Sequence, residues 1–336
     1  MSKKSKTIYA KLIANPGSGT ISGRSKLLYQ VTRTLKDLGV KLDVAVAKPK
    51  EEAIVIARKA VKDGYKVIIG MGGDDTIEAI IRGIAGSKVH LGIIPAGTAN
   101  NLAKSLGIPE DPKEACALIA SGHFRKLDLG YVWVRKGKKF PFFELVTLGL
   151  AAAVYPASEH VHKGRVSSIV DTIQAFLKQE PNPKITLVMD GESTITVETM
   201  LALVANVPLI GPNMLLDPNA SIDDGFLDVS LYPNFSKAEL LAYAVNVAKE
   251  GSPEDEKIQR YRARKLTIKG TPKLEVMADG VMLGKGKVKI KLVPGALRVI
   301  APKVGAGVEK PQQAKDADLP APVAPVAENN EPKKNG

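Results

Sequence analysis

The chain contains a single cysteine, Cys116, in 336 residues. One thiol excludes an internal disulfide framework and fits a reducing compartment. Cys116 falls in a helix-like stretch over 112–121, where packing is its expected role. Long hydrophobic runs are absent too, since nothing approaches the ~20 apolar residues that span a bilayer. The first six residues are basic, but a strand pattern follows them rather than a signal-peptide core. Aromatic residues make up only 5% of the chain. Neither zinc-finger spacing nor an aromatic-rich RNA-binding strand is present, so nucleic acid is not an expected partner. His160 and His162 alternate with no third ligand at metal spacing, and no Ser/His/Asp arrangement can be assigned. A Gly-Lys-Ser/Thr P-loop ending and a Gly-x-Gly-x-x-Gly fingerprint are both missing after the first strand. Acidic charge is in short supply: 48 Lys and Arg against 35 Asp and Glu leave +13 at pH 7. That balance favours an anionic substrate or membrane surface, although much of the excess is scattered. The expectation is a cytoplasmic protein with peripheral membrane contact and no transmembrane segment.

What is present is a repeated strand–loop–helix pattern. Residues 7–14, 41–47, 66–70 and 89–94 read as strands, and 21–38, 51–62 and a stretch from Thr76 as helices. That alternation implies a parallel sheet covered on both faces. From Lys126 strand patterns dominate, over 126–134, 140–148, 184–189, 194–204, 225–232, 264–268, 274–278 and 287–292. Asp190-Gly191 and Asp279-Gly280 fit hairpin turns, and one helical insert covers 166–178. The fold class expected is therefore an α/β N-terminal domain with a parallel sheet, residues 1–128. A mainly antiparallel β-sandwich, 129–302, would close an interdomain site. The tail, 303–336, is rich in Pro, Ala, Glu and Lys and is expected to be disordered.

Three loops fall at the carboxyl ends of the parallel strands, where open α/β sheets bind ligands. They are Asn15-Pro16-Gly17-Ser18-Gly19, Gly72-Gly73-Asp74-Asp75-Thr76 and Gly97-Thr98-Ala99-Asn100-Asn101. Glycine lets backbone N–H groups approach a phosphate, and helix N-termini favour anions. Two readings of the second loop are open. It either cradles a nucleotide, with Thr76 capping the helix and offering a hydroxyl, or is a tight turn capped by Asp74 or Asp75. The third loop is a capped turn by one reading. By the other, Thr98 and the asparagines hold ribose or phosphate. The two loops together favour a nucleotide site.

The order Asn-Pro-x-Ser-Gly, Gly-Gly-Asp-x-Thr and Ile-Pro-x-Gly-Thr-Ala-Asn-Asn resembles the diacylglycerol kinase catalytic domain family. The resemblance continues through Asn206, through the run from Pro218 to Asp228, and through Asp279-Gly280 with Pro294-Gly295-Ala296-Leu297-Arg298. It implies ATP in an interdomain cleft, magnesium, and a lipid hydroxyl as acceptor at a membrane surface, with a possible homodimer. It further implies that Asn15, Gly72, Gly73, Asp75, Thr76, Gly97, Thr98 and Asn100 line the nucleotide. Asp74 and Asp279 would be the catalytic carboxylates. Asp224, with backbone oxygens near Ser221 and Phe226, would hold a structural magnesium; without the resemblance Asp223-Asp224-Gly225 reads as a plain hairpin.

Five departures set this chain apart from the family pattern. Asp75 replaces a glycine and adds negative charge to a phosphate loop. Glu78 stands where asparagine is usual, and Ala47-Lys48-Pro49-Lys50 where a threonine often helps hold nucleotide. Gly149-Leu150-Ala151-Ala152 lacks the family's acid. Most consequential, Val281 occupies the place of the glutamate that serves the family as general base. Asp190-Gly191-Glu192 carries the Asp-Gly-Glu tripeptide but at an earlier hairpin, so Glu192 reads as a surface turn. These departures leave a catalytically impaired lipid- or nucleotide-binding relative as the alternative to an active lipid kinase. A kinase for a soluble acceptor, like the related NAD kinases, ranks behind both.

Overall fold

The computed structural model describes residues 8–15, 21–48, 51–149, 183–210, 214–215, 220–250 and 255–303. The expected insert over 166–178, His160 and His162, most of the first loop and the tail from 304 lie outside the described residues.

The first part alternates β1 (Ile8–Ala14), α1 (Ile21–Asp37), β2 (Val40–Val46), α2 (Glu52–Lys62), β3 (Val67–Gly72), α3 (Asp74–Ile84) and β4 (His90–Pro95). The strands are parallel, in the order β2-β1-β3-β4. The chain steps from β1 to β2 on one side and then returns to the other side for β3. The carboxyl ends of β1 and β3 therefore flank a topological switch point. Every residue of β3 is buried, as a strand covered on both faces requires. Helix α1 covers one face together with α5 (Pro112–Ser121), through Val31, Leu35, Ala115 and Ile119. Cys116 lies in that layer, where burial pushes its thiol up to about 11. Ala53, Ala57 and Ala60 of α2 and Ile77, Ile80 and Ile84 of α3 cover the opposite face. Each fully buried isoleucine there contributes ~2 kcal/mol of transfer free energy.

The second part is a two-layer sandwich. One layer joins β8 (Lys184–Met189), β14 (Lys265–Thr271), β17 (Val288–Ile300), β5 (Phe124–Val134) and β6 (Phe140–Phe142). The other joins β16 (Val281–Lys285), β15 (Glu275–Ala278), β7 (Leu145–Gly149), β9 (Ser193–Ala205), β12 (Leu227–Pro233) and β13 (Gln259–Ala263). Strand β9 serves both layers, pairing β8 with its first half and β7 and β12 with its second, and the short β10 (Leu209–Ile210) and β11 (Met214–Leu215) pair with each other. Between the layers lie Leu187, Leu266, Ile290, Val146, Val204 and Val276.

Strand β17 also ties the two parts together. It runs antiparallel to β14 and β5, passes a bulge between Val293 and Leu297, and ends parallel to β4 at Arg298 and Val299. Residue 128 lies within β5, which pairs with β17 on both sides of that bulge.

Several local expectations change. Helix α3 starts at Asp74, not Thr76. The apolar stretch 140–148 is two strands, β6 and β7, because a distant carboxylate takes the backbone donors at the break, as described below. A helix, α6 (Lys237–Glu250), stands where no element was expected.

Candidate active site

The β3–α3 and β4–α4 loops meet backbone to backbone, α4 being the short helix Asn101–Ser105. A Cβ at Gly97 would lie 2.4 Å from the Gly73 Cα, and one at Gly73 would lie 3.1 Å from the Gly97 Cα. Gly97 is thus required by the contact between the loops, and a side chain at Gly73 would be tightly placed. Asn100 fixes the second loop: its Oδ1 accepts from the Gly97 N–H at 3.0 Å and its Nδ2 donates to the Gly97 carbonyl at 3.1 Å. Asn15, at the end of β1, donates its N–H to the Met71 carbonyl at 2.9 Å, which sets it beside β3. Thr98 is exposed at the rim.

Gly73 is the N-cap of α3, in extended conformation, and no side chain caps that end. Thr76 therefore does not cap the helix, nor do Asp74 and Asp75. Thr76 is buried (3% exposed), with its side chain packed against Gly72. Asp75 occupies the first turn of α3 with helical geometry, so it carries no positive-φ strain and projects, exposed, from the helix. Its negative charge suits a helix N-terminus.

Asp279 organises the opposite wall. With Gly280 it forms the two-residue turn between β15 and β16, both residues at positive φ (40° and 70°). Its carboxylate accepts three backbone N–H groups, from Phe143 at 2.7 Å and from Glu144 and Leu145 at 3.0 Å each. Those donors are lost to the sheet ladder, and the chain breaks between β6 and β7. Asn206, fully buried, holds the same turn from behind, its N–H on the Glu144 carbonyl (2.9 Å) and its Nδ2 on the Phe143 carbonyl (2.8 Å). Arg82 of α3 closes the circuit, donating to the Asp279 carbonyl at 2.7 Å and to Glu78 Oε2 at 3.0 Å. Its guanidinium also lies 5.3 Å from the centre of the Phe140 ring.

This clamp presents Glu144 to the cleft. Two adjoining depressions share Leu102, Phe143 and Glu144. One runs along α3 past Asp74, Glu78 and Ile81; the other continues past Ser105 to Val207 and Ile222. Burial, reinforced by the charges of Asp279, Asp74 and Asp75, pushes the Glu144 carboxyl up to about 8. Burial likewise raises Glu78 well above the usual carboxylate range, with the Asp279 and Glu144 charges adding to it and Arg82 opposing. Asp279 is raised by burial too, against the pull of its backbone donors and Arg82. Sequence reading missed Glu144, Arg82 and the clamp. Only the helical i, i+4 spacing of Glu78 and Arg82 carried a local signal.

The loop expected to hold structural magnesium is built differently. Asp128 pins it, accepting from the Gly225 N–H at 2.7 Å and the Gly295 N–H at 2.8 Å. Asp224 Oδ1 accepts from the Phe226 N–H at 2.9 Å, and its Oδ2 pairs with Arg262. Arg262 reaches Asp228 as well, at 3.2 Å, and lies with Arg264 against the Phe226 ring. Ser221 turns its hydroxyl to Asp223 at 3.0 Å. Arg262 thus neutralises Asp224, the one carboxylate that the resemblance assigns to a magnesium ion. Among the described residues no three His, Cys, Asp or Glu side chains gather as metal ligands. The exposed oxygens at the start of α3 suit a hard cation brought in on a nucleotide.

Residues 9–132 match the diacylglycerol kinase catalytic domain, and residues 144–301 match the YegS C-terminal NAD kinase beta sandwich-like domain. The chain belongs to the diacylglycerol kinase catalytic domain family. Among its relatives is the diacylglycerol kinase of Mycobacterium tuberculosis, 28% identical over 296 residues, covering 87% of this chain and 95% of that one. Another is the diacylglycerol kinase of Bacillus subtilis, 27% identical over 277 residues and covering 81% and 89%. A crystal structure of a diacylglycerol kinase from Bacillus anthracis superposes with a TM-score of 0.68 at 22% identity, covering 89% of this chain and 98% of that chain. That likeness gives the fold of the family, an α/β unit followed by an antiparallel sandwich.

Proposed function

We propose that this member of the diacylglycerol kinase family transfers the γ-phosphoryl group of ATP to a lipid hydroxyl. The observation that carries the reading is the lining of the cleft. Its acidic part, at Asp74 and Glu144, adjoins the apolar side chains of Leu102, Phe143, Val207 and Ile222, with Asn101 and Ser105 beside them. A largely apolar lining next to carboxylates suits a hydroxyl on an apolar molecule better than a soluble dinucleotide. ATP would lie over the paired Gly73 and Gly97 loops, with Asn15, Thr98 and the α3 N-terminus at its phosphates. Magnesium arriving with the nucleotide would supply charge neutralisation between phosphate oxygens.

Within this reading Glu144 takes over the proton-accepting role that Val281 cannot fill. A general base works best with a pKa near the operating pH, and burial has moved Glu144 to about 8. Asp279 acts by positioning, since its carboxylate is spent on the backbone of residues 143–145. Labelled-phosphate transfer from magnesium ATP to diacylglycerol in neutral detergent micelles tests the proposal. Turnover should fall ~100-fold or more in Glu144→Gln, the usual span for a lost general base, with ATP affinity retained. Equal turnover in wild type and Glu144→Gln would remove Glu144 from the chemistry.

A second reading, a nucleotide- or lipid-binding relative without turnover, is favoured by one observation. Asp74, Asp75, Glu78 and Glu144 crowd the cleft against the single guanidinium of Arg82. Absence of transfer to any vesicle or micelle lipid, with binding intact, would select that reading.

A further inference from the structure

We propose that the outer face of the β8–β14–β17–β5 layer docks on an anionic lipid bilayer. The register places its side chains. Lys265 of β14 pairs with Lys291 of β17, which pairs with Tyr131 of β5. One step along, Thr267 pairs with Lys289, which pairs with Trp133. Lys269 and Lys184 continue the same face across β14 and β8. The alternate residues Leu266, Ile268, Ile290 and Leu292 are buried between the layers. All five lysines therefore point outward, and all are exposed.

Among the described residues none of the five is in an ion pair. Lys265 and Lys291 stand directly opposite each other, an arrangement that costs stability in an isolated sheet. The nearest acids are elsewhere engaged or at the margin. The Asp190 carboxylate accepts from the Arg264 and Lys265 N–H groups, and Glu198 lies at the β9 edge opposite Lys184. An external anionic surface supplies the missing charge.

The chemistry of the face favours a bilayer over a nucleic acid. Trp133, half-buried, borders the lysines, whereas Tyr131 is buried in the core with the Lys139 ammonium 3.4 Å from its ring centre. An indole edge beside lysines suits the headgroup layer. Point-charge ammonium groups spread over a sheet suit many headgroups rather than one phosphate held bidentately. The same hairpin reaches the cleft, because Phe140 of β6 lies against Arg82 on the sheet's other side. Docking would thus set the bilayer beside the cleft. For its purpose the inference rests on the lipid-acceptor reading, whereas its geometry does not.

The test is sedimentation of the full chain with vesicles of phosphatidylcholine alone or mixed with phosphatidylglycerol. Partition to the mixed vesicles should fall at least 100-fold in Lys265→Glu/Lys289→Glu/Lys291→Glu and collapse in high salt. The milder Lys265→Gln/Lys289→Gln/Lys291→Gln set should weaken partition in the same sense if the charge-reversed chain folds poorly. Reversal of the remote, exposed Lys36, Lys62 and Lys66 should leave partition within a few-fold of wild type. Equal losses in the two charge-reversed sets, no wild-type partition, or tighter face-dependent binding to single-stranded RNA would each overturn the proposal. Transfer in neutral micelles separates the two claims: turnover without docking overturns the surface alone, and docking without turnover overturns the kinase reading alone.

Discussion

At the scale of single residues, Glu144 couples protonation to folding. Its folded pKa of about 8 lies above the ordinary carboxylate value of 4.5, so the folded state holds a proton that the unfolded chain has released. Stability therefore falls as pH rises from about 4.5 through about 8, because the native state binds more protons in that window. Urea midpoints measured across that range should decline less in Glu144→Gln than in wild type, and the variant should be the more stable of the two above pH 8. Activity should run the other way, rising through the same pKa as the base ionises. Asp75 makes a different prediction. It sits at the helix N-terminus without backbone strain, so Asp75→Gly should cost up to ~1 kcal/mol of stability by removing a favourable dipole contact. The same change should tighten magnesium ATP binding, since two unit charges ~4 Å apart repel by about 4 kcal/mol at an effective dielectric of 20, and solvent screening lowers that to roughly tenfold in affinity. Isothermal titration alongside thermal melts reads both effects.

Among elements, the contact between the two glycine loops is the least forgiving. Gly97→Ala would push a Cβ to 2.4 Å from the Gly73 backbone, and backbone cannot swing aside as a side chain does. Overpacking of that kind costs ~1–3 kcal/mol, and the variant should lose nucleotide affinity together with melting temperature. The parallel strands were legible because burial on both faces leaves continuous apolar runs such as Val67-Ile68-Ile69. Strands β13 and β16 were not, since Gln259-Arg260-Tyr261-Arg262 and Met282-Leu283-Gly284-Lys285 mix polar and apolar residues at exposed positions. Helix α6 did carry a signal. Ser236 and Glu239 form a reciprocal capping box, with the Ser236 N–H on Glu239 Oε2 at 2.8 Å and the Glu239 N–H on Ser236 Oγ at 3.2 Å. Strand β17 looked finished at 292, because Pro294 and Gly295 read as punctuation; the structure absorbs them in a bulge. The glycine loops were legible as loops, whereas Glu144 was not. Its placement depends on Asp279, 135 residues away in sequence, and local pattern does not encode that distance.

For the whole molecule, Arg82 and β17 hold the parallel sheet to the sandwich. Arg82→Ala would leave Glu78 buried without its partner and free the Asp279 turn. Breaking such a pair costs on the order of 3 kcal/mol, which a urea titration would read. Lysine should restore part of the loss, because a single guanidinium nitrogen, Nη2, makes both bonds and an ammonium can donate to Glu78 and the Asp279 carbonyl, whereas the planar contact with the Phe140 ring is not reproduced. Strand β17 has a consequence in time as well as in space. A ribosome makes β4 long before it makes Arg298 and Val299, the residues that pair beside it. Until then the nascent first half leaves the start of that strand, His90-Leu91, unpaired on its outer edge. Synthesis from one end thus leaves the earliest-made sheet waiting on nearly the last strand to emerge, a window in which chaperones have something to hold.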